Sequence, residues 1–278
     1  MGVFVFTLVL FAALLHAGWN ALVKTGDNKQ TGMLLLTLGH ACIGLVIIAF
    51  TPWPTGATWG WVVASGAIHM AYQLFLGFAY ERGDLSRVYP IARGTAPMLV
   101  LVVSMVFAID VLHFWSLVGI LVLGLGIFTM AQGVFAHGED RKLIPLALGA
   151  ACATAGYSLV DGMGARSMGD AVGFVAWSLV ASALFYTPAV LALRGRSVLH
   201  ITGPMVVMGG FASLASFAAY AIVVWAMTVA PIALVTALRE TSILFAVLIG
   251  WMIFGERMTM GKATAGLLII TGVALTRF

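Results

Sequence analysis

Arg93 and Arg239 each stand inside a run of otherwise apolar residues. A guanidinium carried into hydrocarbon costs at least about 2.5–3.5 kcal/mol on insertion scales, so two of them need a reason. Two reasons are open. The planar fork of arginine suits a carboxylate, phosphate or phosphonate held bidentately, so the pair can act as a clamp for an anionic solute. Alternatively, each is paired inside the protein and locks helices together. Glu240 follows Arg239 directly. On a continuous helix such neighbours do not face each other, so Glu240 is expected to share a face with Thr236 rather than to meet Arg239. Glu240 has two readings of its own: a group that takes up a proton or meets a substrate amine, or a static partner for Arg93 across the bundle.

Weaker polar groups accompany them. His16, Asn20 and Lys24 recur every four residues and form one stripe, with Trp19 beside it. Asn20 is the best of these for a site, because an amide both donates and accepts. Lys24 suits an interface anchor. His69, Tyr72 and Gln73 make a second patch, and Ser213, Ser216 and Tyr220 a third. Either patch serves a cavity or holds helices together. His40 has no assigned role, and Asp161 is expected at an interface. Three span histidines without paired spacing give no metal site, and no phosphate-cradling loop implies ATP use. Cys42 and Cys152 read as packing residues. No cofactor is expected.

The elements that position these groups follow from composition. Of 278 residues, 62% are hydrophobic and 9% charged. A soluble domain carries about 25% charged residues, so the solvent here is lipid. The mean hydropathy is +1.08. The net charge of +4 lies in short loops rather than in a basic run, which excludes nucleic acid as a partner. Apolar runs long enough to cross a hydrocarbon core occur at 3–23, 32–52, 58–80, 86–109, 114–135, 143–164, 171–193, 204–228, 231–253 and 259–276. They must be helices, because lipid offers backbone groups no other partner. The expected fold is therefore an all-α integral membrane protein with ten transmembrane helices. Lys24, Lys29, Arg82, Arg87, Arg141, Lys142, Arg194, Arg196, Arg257 and Lys262 fall on one side, and only Arg166 and Arg277 on the other. The positive-inside rule then places both termini outside the cytoplasm, in a multi-pass protein of the cell (inner) membrane. Pro90 and Pro97 should kink the fourth span beside Arg93. The ninth span has no interior proline, so the two halves should differ mechanically.

The sequence also repeats. Arg93, Thr95, Asp110 and Gly126 recur 146 residues later as Arg239, Thr241, Glu256 and Gly272. Ala17-Gly18-Trp19-Asn20 parallels Ala155-Gly156-Tyr157-Ser158. Five spans per half place the second copy in the membrane upside down, as two inverted five-helix repeats over 1–136 and 143–278. The polar stretch His137–Lys142 divides them.

Gly255-Glu256, Gly272-Val273 and the opening Leu15-His16-Ala17-Gly18-Trp19-Asn20 resemble the EamA-type transporters of the drug/metabolite transporter superfamily. Ile109-Asp110 stands where that pattern has Gly-Glu, and Ala265 replaces a glycine. The resemblance implies a secondary carrier working by alternating access, not an enzyme. Its substrate-binding candidates are Arg93, Arg239, Glu240, Asn20, Trp19, His69 and Tyr72. The expected partners are a small anionic or zwitterionic solute, the lipid bilayer and protons, with export as one direction and a homodimer as one assembly the sequence allows. The alternatives are a carrier of cationic or neutral solutes with structural arginines, and a non-transporting membrane subunit.

Overall fold

The structure is a computed structural model and describes residues 1–23, 29–82, 85–135, 143–252, 255 and 257–278. Lys24, the divider His137–Lys142 and Glu256 lie outside the described residues. The chain forms α1 (Val3–Val23), α2 (Lys29–Ile48), α3 (Thr58–Arg82), α4 (Leu85–Val106), α5 (Phe114–Phe135), α6 (Leu143–Met168), α7 (Ala171–Arg194), α8 (Gly203–Val229), α9 (Ile232–Arg239), α10 (Ser242–Met252) and α11 (Met260–Leu275). No strand occurs among the described residues. Seven segments are long and apolar enough to cross a membrane, counting Ile232–Met252 as one. Three shorter apolar helices accompany them, at Arg93–Val106, Phe114–Met130 and Met260–Leu275. The chain is a multi-pass integral membrane protein.

The ninth span departs from expectation, because it is broken between α9 and α10. The amides of Glu240 and Thr241 reach back only three residues, to Ala237 O (3.0 Å) and Leu238 O (3.1 Å). The Thr241 hydroxyl donates to the same Leu238 carbonyl at 2.7 Å, which supports the tightened turn. Meanwhile α4 runs unbroken from Leu85 to Val106 through Pro90 and Pro97. The interruption thus falls in the span that has no interior proline. Neighbouring helices at membrane depth can satisfy the groups a proline frees.

Helices of the first half pack on those of the second in exchanged pairs. α1 lies on α8 as α3 lies on α6, and α2 lies on α8 as α3 lies on α7. α1 lies on α9 and α10 as α4 lies on α6, and α5 and α11 form a close seam. Small residues make that seam. A Cβ on Gly119 would sit 2.7 Å from Gly272 O, and one on Gly272 would sit 2.6 Å from Leu123 N. A Cβ on Gly126 would meet Ala265 O at 3.0 Å. Without a hydrophobic drive between helices in lipid, such close backbone approach is what binds them.

The two termini meet, with Arg277 donating to Met1 O at 3.1 Å. Between α6 and α7 the turn needs Gly169, at φ +74°, and Asp170 caps α7 by accepting from Gly173 N at 3.0 Å. α6 extends to Met168, four residues beyond the run read from the sequence. Asp161 therefore lies about 10 Å inside the end of its helix. It is fully buried, not interfacial.

Candidate functional site

The core of the site forms where α4, α9 and the α9–α10 break converge. Arg93 Nε lies 2.9 Å from Glu240 Oε2, and Arg239 Nη2 lies 3.4 Å from Glu240 Oε1. All three are buried, at 2%, 3% and 0% exposure. Arg239 reaches its own neighbour where the α-helical hydrogen bonds give way to three-residue turns at Glu240. The rule that adjacent helical residues diverge does not apply at a break. The bond from Arg239 is long, and the approach of Arg93, though close, lacks hydrogen-bond alignment, so Oε2 accepts no hydrogen bond among the described residues. Two cations against one anion leave the triad with one net positive charge. At the 146-residue offset, Gly94 stands at the position matching Glu240.

A second cluster adjoins the first. His69 Nε2 lies 2.9 Å from Asp161 Oδ2, and the Tyr220 hydroxyl donates to the same oxygen. Tyr220 Oη also lies 3.3 Å from His69 Nε2. The His69 ring stacks on Tyr157 at 4.3 Å and 15°, and Tyr72 meets Tyr157 edge-on at 5.5 Å. The guanidinium of Arg239 lies 5.6 Å from the centre of that same Tyr157 ring. Tyr157 thus joins the two clusters.

The sequence-based candidates fare unequally. Arg93, Arg239 and Glu240 meet, and His69 and Tyr72 stand beside them through Tyr157. On α1, Trp19 packs edge-on against His16 at 5.1 Å, and His16 lies within electrostatic reach of both arginines. Asn20 donates to His16 O at 2.7 Å, so its amide nitrogen serves its own helix. Ser213 acts as glue, donating to Gly209 O and to Leu36 O on α2. Asp161 and Tyr157 are not among the sequence-based candidates, and Tyr220 is named there only in the third polar patch. Tyr157 and Asp161 are four residues apart on α6, and Tyr157 parallels Trp19 in the repeat, which were the available signals.

At one end of the bundle, Arg166 grips Asp110 through Nη1 (2.9 Å) and Nη2 (3.3 Å). It also donates to Met227 O and Ala230 O where α8 ends. Asp110 in turn accepts from Ile232 N, the first residue of α9. The acid that departs from the Gly-Glu pattern is therefore a latch across four segments. A cavity of about 410 Å³ beside it is lined by Phe107, Ile109, Met163 and Arg166.

Among the described residues, no group of histidines, cysteines and acids could hold a metal ion. No curated protein matches the chain. A solved crystal structure superposes with a TM-score of 0.76 at 17% identity, over 99% of this chain and 98% of its own, which shows a shared fold. Residues 141–278 match the EamA-like transporter family. This is the half in which Gly255, Gly272 and Val273 follow the pattern. The chain belongs to the EamA-like transporter family, within the drug/metabolite transporter superfamily, and is a membrane transporter by that membership.

Proposed function

We propose that the protein is a secondary carrier that moves a small anionic or zwitterionic solute by alternating access between two inverted five-helix repeats. The exchanged packing pairs support the repeat reading. So does the seam, where Gly119 meets Gly272 while their repeat equivalents Ala265 and Gly126 meet each other, as a two-fold axis requires. The carrying observation is the convergence of Arg93 and Arg239 on one buried carboxylate beside a broken helix. A solute carboxylate or phosphonate competes with Glu240 for the two forks. Discontinuous helices at mid-depth are where carriers place such sites. Asn20, Trp19, His69 and Tyr72 shape the surrounding wall. Protons are the coupling ion, and the cytoplasmic side is the one rich in Lys and Arg.

The experiment is thermal stabilisation of the purified protein against a panel of organic acids, phosphonates, amino acids and amines. A ligand at a hundredfold excess over its dissociation constant adds about 2.7 kcal/mol to the folded state. Stabilisation by an anion or zwitterion, lost in Arg93→Ala and Arg239→Ala, supports the clamp. A second reading has its own observation: Glu240 already neutralises one arginine, as it would in a static lock. Stabilisation by amines alone, unchanged in the arginine variants, selects that reading and makes the solute cationic.

A further inference from the structure

We infer that Asp161, His69 and Tyr220 form a proton-binding site, separate from the Arg93–Glu240–Arg239 triad and linked to it through the Tyr157 ring. Asp161 is fully buried, and its Oδ2 takes both the His69 and the Tyr220 contacts. Its other oxygen, Oδ1, is buried with no hydrogen-bond partner among the described residues. An ionised carboxylate with one unsolvated oxygen at mid-depth is a poor resting state unless a proton can join the cluster. With Asp161 ionised and His69 neutral, the cluster carries one negative charge. Taking one proton, on the carboxylate or on the imidazole, brings it to zero.

The surroundings do not supply that neutralisation. From α3 the facing ionisable groups are His69 and Tyr72, from α8 Tyr220, and from α6 itself Tyr157. α7 carries no ionisable side chain between Ala171 and Phe185. On α2, His40 lies within electrostatic reach of His69. The nearby cations are Arg239, over the Tyr157 ring, and Arg93 on α4, and both are engaged with Glu240. Arg166, further along α6, is held by Asp110.

The link to the triad is geometric. His69 stacks on the Tyr157 ring, and Arg239 lies over the same ring. An imidazolium at His69 competes with Arg239 for that ring and repels it, freeing the guanidinium for an anion. An anion bound at Arg239 favours the added proton in return, since coupling between two sites is reciprocal. The use of this proton in transport rests on the carrier reading, whereas its binding does not.

The test reads protonation alone. The purified protein in lipid is titrated between pH 9 and pH 5, with infrared difference spectra for a carboxyl band and 15N-histidine resonances for an imidazolium. One proton should enter, seen as either signal. Asp161→Asn should abolish the band or shift the histidine transition, whereas Glu240→Gln, which frees the two arginines, should shift the midpoint without removing either signal. Tyr220→Phe removes one hydrogen bond to the carboxylate and should raise the midpoint by roughly one pH unit. It keeps the test alive if Asp161→Asn does not fold. No transition in the parent protein, a transition unmoved by both variants, or one lost only in Glu240→Gln would overturn the inference. Failure here leaves the anion clamp standing, and failure of the solute panel leaves the proton site standing.

Discussion

Arg93 on α4 and Glu240 at the α9–α10 break lie 2.9 Å apart, with both side chains out of contact with lipid and water. The two residues come from different halves of the chain, so this contact ties the halves at their centre. Removing one partner of a buried pair leaves the other charge uncompensated, typically at about 3–5 kcal/mol. Glu240→Gln should therefore lower the unfolding midpoint of the purified protein clearly. If the arginines are the clamp, an anion that stabilises the parent should stabilise this variant more, because its competitor is gone. Equal stabilisation of both proteins would count against displacement of Glu240 by solute.

A double-mutant cycle on Arg93→Met and Glu240→Met measures the pair itself. Groups in direct contact couple by about 0.5–3 kcal/mol, so the double variant should be more stable than the sum of the single losses implies. Strict additivity in thermal unfolding would mean that the contact does not hold the helices together.

Transport in proteoliposomes loaded with the best solute from the panel should fall at least tenfold in Arg239→Ala. It should also fall, less steeply, in Arg239→Lys, which keeps the charge but loses the fork. A full rate in the lysine variant would reduce the role of Arg239 to charge alone, and a full rate in the alanine variant would remove it from the site.

The α5–α11 seam should resist enlargement. Gly119→Val places its Cβ 2.7 Å from Gly272 O, where only backbone could yield. Overpacking of this kind costs about 1–3 kcal/mol, so the variant should unfold earlier in detergent. Ala265→Gly, at the equivalent position of the other half, should change the midpoint far less.

The Asp110–Arg166 pair joins the segment after α4 to α6 at one end of the bundle. In a background with Cys42 and Cys152 replaced by serine, Asp110→Asn should increase labelling of a cysteine introduced at Met163 by an impermeant maleimide. The cavity beside the latch is lined by that residue. Unchanged labelling would mean that the latch does not control access. The contact of Arg277 with Met1 O further requires tags at the two termini to report the same side of the membrane.

The sequence by itself determined the solvent, the helical class and the nearly full set of helix boundaries. Long apolar runs in lipid leave the backbone no alternative to helix. Its spacing also marked Arg93, Arg239, Gly126 and Gly272, because a charge in hydrocarbon and a pattern repeated 146 residues later are conspicuous against an apolar background. Tertiary structure decided what those residues meet. The break at Glu240 has no proline to announce it, and it turns Arg239 onto its own neighbour. Asp161 looked interfacial because its helix is longer than its hydropathy suggests, and its partners His69 and Tyr220 come from α3 and α8. Asp110 looked like a departure from a loop pattern, yet it joins Arg166 to the start of α9. The contacts of Asp161 and Asp110 join residues tens to more than a hundred positions apart. Periodicity reports which face of a helix is polar, but only packing selects which neighbour that face receives.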